Sequence, residues 1–302
     1  MSGIINTGSF TKALWPGVNK WWGDAYNEFP VEYTQIFTKN TSRKAFEEDV
    51  SVSGFGLAQV KGEGGPISYD TALQGFVDRY THITWGLGFV ITREMVEDDQ
   101  YDVIGKKKAQ ALAFSMRQTK EINAANILNR AFNTSYTYGD GKALVVNDHP
   151  NVAGGTWSNV MSVASDLSEA ALEQAFIDIR GYTNDRGLKI AVKPVKLVIP
   201  YQLDFEANKI MKTEYEVGTA NNTVNVVRGR FPGGIVVNHY LTDPDAWFLI
   251  TDVQDGLKYF ERRGDEFTMD EDFDTDNAKY KATTRYSLGC TDKRSIYGTP
   301  GA

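Results

Sequence analysis

Residues 91–132, ITREMVEDDQYDVIGKKKAQALAFSMRQTKEINAANILNRAF, form the longest helical stretch of the chain, and their reading decides the fold. Thr92 suits the N-cap of a short first helix, and Glu94, Glu97, Asp98 and Asp99 place negative charge where unpaired backbone N–H groups favour it. A longer helix is expected from Asp102 to Phe132. Ile104, Ala111, Phe114, Ile122, Ala125 and Phe132 recur at helical steps and mark an apolar stripe, while Lys106, Lys107, Arg117 and Lys120 point largely elsewhere. Such a rod would be roughly 45 Å long, and it needs other elements laid along it. Burial of the stripe would make an aspartate at Ile122 or Phe132 incompatible with soluble protein.

On the N-terminal side of this helix the period changes to two. Ile83, Trp85, Leu87, Phe89 and Ile91 alternate with Thr84, Gly86, Gly88 and Val90, a strand pattern. Val50, Val52, Ala58 and Val60 fit a partner strand interrupted by Gly54 and Gly56, with the turn-forming KGEGGPISYD (residues 61–70) between them. The expectation is a long two-stranded excursion, too thin to be stable alone, that rests on another surface. Residues 1 to about 45 carry Trp15, Trp21 and Trp22 among polar residues and read as an arm with a short helix near Pro16–Tyr26, its aromatics suited to docking.

On the C-terminal side a loop-rich connector precedes LSEAALEQAFIDIRGY, an amphipathic helix capped by Asp166 or Ser168. VKLVIP reads as a buried strand, YQLDFEANKIMK as a helix, and NTVNVV, GIVVNHYL, AWFLITDV and GLKYFERR as further strands of a compact α+β unit from Ser165 to Arg263. The acidic run after Asp265 leads into Tyr280, Ala282, Thr284, Tyr286 and Leu288, alternating with Lys281, Thr283, Arg285 and Ser287. With no local partner in view, this strand is expected to return and pair near the long helix.

Composition narrows the function. The 302 residues are 41% hydrophobic and 24% charged, as in ordinary globular proteins, and the net charge of -7 disfavours a surface that grips phosphates as a whole. The single cysteine, Cys290, cannot form an intrachain disulfide, and MSGIINTGSF lacks signal-peptide character, so a cytoplasmic setting is expected. No apolar run approaches the ~20 residues of a membrane span. Asp270, Asp272 and Asp274 imitate a calcium loop, but Thr275 and Lys281 stand where Gly and Glu are required. His82, His149 and His239 are too far apart in sequence for a zinc motif, and no complete dinucleotide, P-loop or G-x-S-x-G motif occurs. Cys290 with His149 or His239 would be the one nucleophile pairing to consider, and packing is the better reading for it. No catalytic residue, metal or cofactor is assigned.

Five stretches in this order resemble the major capsid proteins of tailed bacteriophages, more specifically the Mu-like major head subunits: VITREMVEDDQYD, VKLVIPYQLDFEANKIM, NHYLTDPDAWFLITD, GLKYFERR and DFDTDNAKYKATTRYSLG. The resemblance covers about residues 30–298 and implies an α+β, HK97-like capsid fold. Residues 1–45 would be its N-arm, 46–90 its extended β-hairpin E-loop, 91–164 the P-domain with its spine helix, 165–263 the A-domain, and 264–302 a return to the P-domain. It further implies a structural subunit, not an enzyme, that forms hexamers and pentamers of an icosahedral shell enclosing double-stranded DNA. Inter-subunit contacts are expected from Lys61, Gly62, Glu63 and Pro66 at the E-loop tip, and docking of the arm from Trp15, Trp21 and Trp22. The long helical scaffolding segment of many relatives is missing here, so a separate scaffold or protease is expected, together with a portal, assembly in a bacterial cytoplasm and a place in the virion. A nanocompartment shell of the same fold is the first alternative, separated by whether particles hold DNA or protein. A soluble α+β enzyme or small-ligand binder is the second.

Overall fold

A computed structural model describes residues 11–28, 30–92, 94, 105–215, 223–271 and 277–302. Strand alternation builds the first half of the body. In β11 (Ala278–Cys290) Ala278, Tyr280, Ala282, Thr284 and Tyr286 are buried while Lys279 and Lys281 face out. Strand β11 pairs antiparallel on one side with β10 (Leu257–Glu271), as in Phe267↔Ala282, and on the other with β4 (Ile83–Ile91), as in Leu87↔Ala282. The short β1 (Thr38–Thr41) runs parallel to β10 and completes the sheet order β1-β10-β11-β4.

This pairing corrects two expectations. Ile83–Ile91 does not close a hairpin with the Val50–Val60 run but lies in the body sheet beside β11. The hairpin is instead β2 (Phe46–Val52) against β3 (Gln74–Thr81), with Val50↔Val77 and Glu47↔Tyr80 in register. The returning strand does have a local partner, because β10 continues through the acidic stretch after Asp265: Phe267 packs inward while Glu266 and Asp270 face out, so the acidity hid a strand.

The long helix, α3 (Lys106–Asn129), crosses this sheet. Its 24 described residues span roughly 36 Å; the expected start at Asp102 and Ile104 lies outside the described residues, as do Glu97, Asp98 and Asp99. The buried face is Ala109, Leu112, Ala113, Met116, Lys120, Glu121, Ala124, Ala125 and Leu128. Phe114 and Ile122, expected in the stripe, are exposed, and Lys120, expected outside, is buried. Ala125 is buried as expected and Ala111 is exposed, and the buried face as a whole is centred more than a quarter-turn around the helix from the expected stripe. The cause is the floor beneath it: Tyr280, Tyr286 and Tyr259 already fill much of the sheet surface, so four alanines let the helix approach closely among Leu112, Met116 and Leu128, and Phe114 and Ile122 are turned away. Phe132 sits beyond the helix, stacked on Phe248 at 5.6 Å.

The arm enters the same core. Helix α1 (Thr11–Glu28) buries Trp22, which stacks on Tyr26 at 5.0 Å and Phe267 at 5.5 Å. Trp21 is half-buried beside it, and the side chain of Trp15 lies outside the described residues. A single helical turn, α2 (Tyr33–Ile36), follows and leads into β1.

The second half of the body is a sheet of order β12-β9-β7-β8, made from β7 (Pro194–Pro200), β8 (Ile235–Asn238), β9 (Trp247–Thr251) and β12 (Ile296–Thr299). Two-residue β5 (His149–Pro150) and β6 (Thr156–Trp157) pair in the connector before it. Helix α4 (Glu169–Arg180) starts where Ser168 Oγ accepts the Ala171 N–H and buries Leu172, Phe176 and Ile179; α5 (Asp204–Lys212) buries Ala207 and Ile210. NTVNVV, expected as a strand, forms one isolated bridge, Tyr215↔Val224, because the Asn225 amide organises the segment as a turn, accepting from Val227 and Arg228 N–H and donating to Ile210 O. The C-terminal residues therefore join both halves, β11 in the first sheet and β12 in the second.

Two substitutions test the helix face. Leu128→Ala in urea melts is expected to lose about 2–5 kcal/mol, whereas Ile122→Ala stays within about 0.5 kcal/mol. Ile122→Asp is expected to leave the isolated subunit soluble, which an inward-facing Ile122 would forbid.

Candidate functional site

The feature that stands out chemically is the β2–β3 ribbon with the loop that joins it. Its loop is closed at the base by Ser53 N–H on Leu73 O (2.9 Å) and Leu73 N–H on Ser53 Oγ (2.8 Å). Farther out, Gly56 N–H donates to Asp70 Oδ2 at 2.7 Å, and Arg186 from the second half of the body reaches Asp70 at 3.6 Å and Thr71 O. The tip turns through Gly65 N–H on Gly62 O at 3.0 Å, with Gly64 at φ 72°. Lys61, Gly62, Glu63 and Pro66 are all exposed at this turn. Apolar side chains are exposed along the same loop, with Val60 at 100%, Tyr69 at 95% and Phe55, Leu57 and Ile67 above half. Covering each such side chain is worth about 1.5–3 kcal/mol, so this surface is built to be covered.

The root of the ribbon is held by charge. Asp49 and Asp78 stand directly opposite in the β2–β3 ladder, an arrangement that is repulsive by itself. Lys258 Nζ meets Asp49 Oδ2 at 2.7 Å, and Lys293 Nζ meets Asp78 Oδ2 at 2.6 Å, both partners of the second pair being buried. Thr291 Oγ1 donates to Asp49 at 2.8 Å, Gly139 N–H to Asp78 at 2.8 Å, and the Tyr80 hydroxyl lies 2.6 Å from Thr291. Burial lifts the Tyr80 hydroxyl far above its ordinary range. Beside the root lies a polar cavity of about 300 Å³ whose walls include Phe76, Trp157 and Arg294, with Arg294 over the Trp157 ring at 4.5 Å. None of this was legible in the sequence: Asp49 and Lys258 are 209 positions apart, Asp78 and Lys293 are 215.

The residues weighed for chemistry are scattered. His82 is buried between Ser42 and Ser287. His149 is buried with Nδ1 at 2.6 Å from Asp140 and Nε2 at 3.2 Å from Asn159. His239 is exposed, at 2.5 Å from Glu32. Cys290 Sγ meets Asp292 O and Ser295 Oγ, with neither His149 nor His239 among its partners, and burial pushes its thiol up to about 12. Among the described residues no three His, Cys, Asp or Glu side chains converge as metal ligands, and no helix is long and apolar enough to cross a membrane. Asp272 and Asp274 lie outside the described residues.

Lys293→Met leaves Asp78 buried without its counter-charge and is expected to cost about 3–5 kcal/mol in chemical denaturation, part of which Asp78→Asn recovers in the double variant. Cys290 is expected to resist iodoacetamide near pH 8 in the native subunit and to react after unfolding, as intact mass would read.

Comparison with known proteins follows the same lines. A family model described as phage capsid protein matches residues 77–298. No curated protein matches the sequence. Among solved structures, the procapsid of bacteriophage JBD30 is 17% identical, with a TM-score of 0.53 over 97% of this chain and 76% of that one. A virus-like particle from Pyrococcus furiosus is 14% identical, with a TM-score of 0.55 over 94% and 98% of the two chains. The capsid of a native GTA particle is 11% identical, with a TM-score of 0.55 over 90% of each. Identities this low speak to the fold, which is the α+β, HK97-like capsid fold, while the family match covers most of the chain. The chain belongs to the phage capsid protein family, as a structural major capsid subunit and not an enzyme.

Proposed function

We infer that this subunit assembles as hexamers and pentamers into an icosahedral head around double-stranded DNA, and that the β2–β3 ribbon is the arm by which each copy holds its neighbour. The observation that carries this reading is the exposed apolar loop of the ribbon, which none of the described residues of its own chain covers. In this reading residues 1–45 are the N-arm, 46–90 the E-loop, 91–164 the P-domain with α3 as its spine, 165–263 the A-domain and 264–302 the return. The part of the E-loop free to reach outward is residues 46–81, because β4 is held in the body sheet. Lys61, Gly62, Glu63 and Pro66 then meet the next subunit, and Trp21 and Trp22 fasten the arm to its own body. A net charge of -7 suits a wall from which packaged DNA slides freely. A separate scaffold or protease, a portal and assembly in the host cytoplasm complete the reading.

The test keeps Ser53 and Leu73, whose hydrogen bonds close the ribbon, and replaces Gly54–Ala72 by an Asn-Gly turn. The isolated subunit is expected to keep its circular dichroism and melting behaviour, while electron micrographs show shells absent or fragile. Intact shells in normal yield would overturn the inter-subunit role. Nuclease-protected DNA in particles made during infection supports the head; particles filled with protein would point to a nanocompartment.

A further inference from the structure

The ribbon leaves the body by two crossings. One is the link of residues 42–45 between β1 and β2; the other is a single residue, His82, between the end of β3 at Thr81 and the start of β4 at Ile83. Strand β4 is fixed in the body sheet, so the angle of the ribbon is set at this residue. His82 is 5% exposed and bonds to both sides of the junction. Its Nε2 lies 3.1 Å from Ser42 Oγ in the first crossing, and its Nδ1 lies 2.9 Å from Ser287 Oγ on β11.

The direction of these bonds can be assigned. Ser42 has one hydroxyl proton, which it donates to Glu47 Oε1 on β2 at 2.7 Å, and its oxygen also accepts from Lys44 N–H at 3.1 Å. Toward His82 it is therefore an acceptor, and the imidazole carries its proton on Nε2. The bare Nδ1 then accepts the Ser287 hydroxyl. The result is one directed chain, Ser287 to His82 to Ser42 to Glu47, running from the body sheet to the first strand of the ribbon. It is complete only with a neutral imidazole. A second proton, on Nδ1, would turn the Ser287 hydroxyl from donor to acceptor, take the hydroxyl's own proton away from the ring and bring a third cation beside Arg285 and Arg262. Arg285 Nε reaches the His82 carbonyl at 3.4 Å, and Arg262 Nε donates to Lys44 O at 3.0 Å. Glu47 is the acid facing the ring, and Lys44 already engages it at 3.0 Å.

We propose that His82 is a proton-sensitive hinge pin: neutral, it locks both crossings of the ribbon to the body, and protonated, it loosens those crossings, while the Asp49–Lys258 and Asp78–Lys293 pairs still hold the root. Desolvation first, then Arg285 and Arg262, holds the imidazole below its usual 6.5, with Glu47 opposing. The sign follows: the lock is complete above the unfolded value and weakens as pH falls below it toward the lower folded value. The consequence for shells, a junction between subunits that loosens in mild acid, rests on the ribbon reaching a neighbour; the hinge itself does not.

The experiment is amide hydrogen exchange on the unassembled full-length subunit at about pH 7.5 and about pH 5, corrected for intrinsic rates. Peptides covering 42–50 and 76–84 are expected to lose at least about tenfold in protection at the lower pH, with β7 and β9 unchanged. His82→Gln supplies an amide N–H for Ser42 and a carbonyl for Ser287 at either pH, and is expected to abolish the pH-dependent loss. Ser287→Ala removes the donor to Nδ1, eases protonation and is expected to move the midpoint of the loss upward in pH; it serves also if His82→Gln does not fold. Equal protection of the wild-type crossings at both pH values overturns the proposal, as does an equal loss in His82→Gln or an unmoved midpoint in Ser287→Ala. Because exchange is read on single subunits, it stands or falls separately from the loop-replacement test of assembly.

Discussion

Strand β11 is the constraint on which the structure depends. It pairs with β10 over nearly its whole length and with β4 along its first nine residues, and its inward tyrosines form the floor for the spine helix. Removing either neighbour would leave a ladder of unpaired backbone groups beneath the helix. The chain reaches this arrangement only after its last quarter has been made, so β4, formed early in the sequence, waits for a partner nearly 200 residues later. The same segment continues into β12, which seals the second sheet. Two halves that read as separate units thus share one strand and one buried cluster, in which Tyr259 and Tyr286 from the first sheet meet Val198 and Phe248 from the second.

Within that core the buried charges act as joints. Glu121 on the spine helix accepts the Glu32 and Tyr33 N–H groups at 3.1 and 3.0 Å, capping a helical turn that is too short to cap itself. Burial raises its carboxyl while those backbone bonds pull it down. Lys120, one residue before, joins Asp265 on β10 and the Tyr26 hydroxyl on the arm, so that three distant segments meet at one ammonium group. Asp78 with Lys293 and Asp49 with Lys258 do the same for the ribbon. Pairs of this kind add little net stability over well-packed apolar groups, but breaking one is costly, and so they fix where each appendage attaches.

That division of labour suits a shell subunit. The body packs around two sheets and shared apolar clusters, while the ribbon exposes apolar side chains on a thin, glycine-bearing loop. A rigid body with an adaptable arm can repeat in slightly different surroundings, as closure of an icosahedral shell demands. The arm is anchored firmly at its root and loosely beyond it, where Arg186 to Asp70 is a partly exposed contact of small worth.

Local pattern was enough for the sequence to establish much of this. Helix α4 with a cap at Asp166 or Ser168, the buried strand at Pro194–Pro200, helix α5 and strands β9 and β11 follow from apolar period, short apolar runs and capping, because these signals are local to each element. The resemblance carried by five short stretches led to the fold family. Pairing and phase were beyond it. Which strand lies beside Ile83–Ile91, which face of α3 is inward, and which lysine neutralises which aspartate depend on partners up to some 200 residues away. Side-chain size misled at Phe114 and Ile122, and charge misled at Lys120, because the tyrosine floor and the buried Asp265 are set by β10 and β11. Periodicity records that a residue has a partner; only the tertiary structure, by bringing distant strands into register, decides which one.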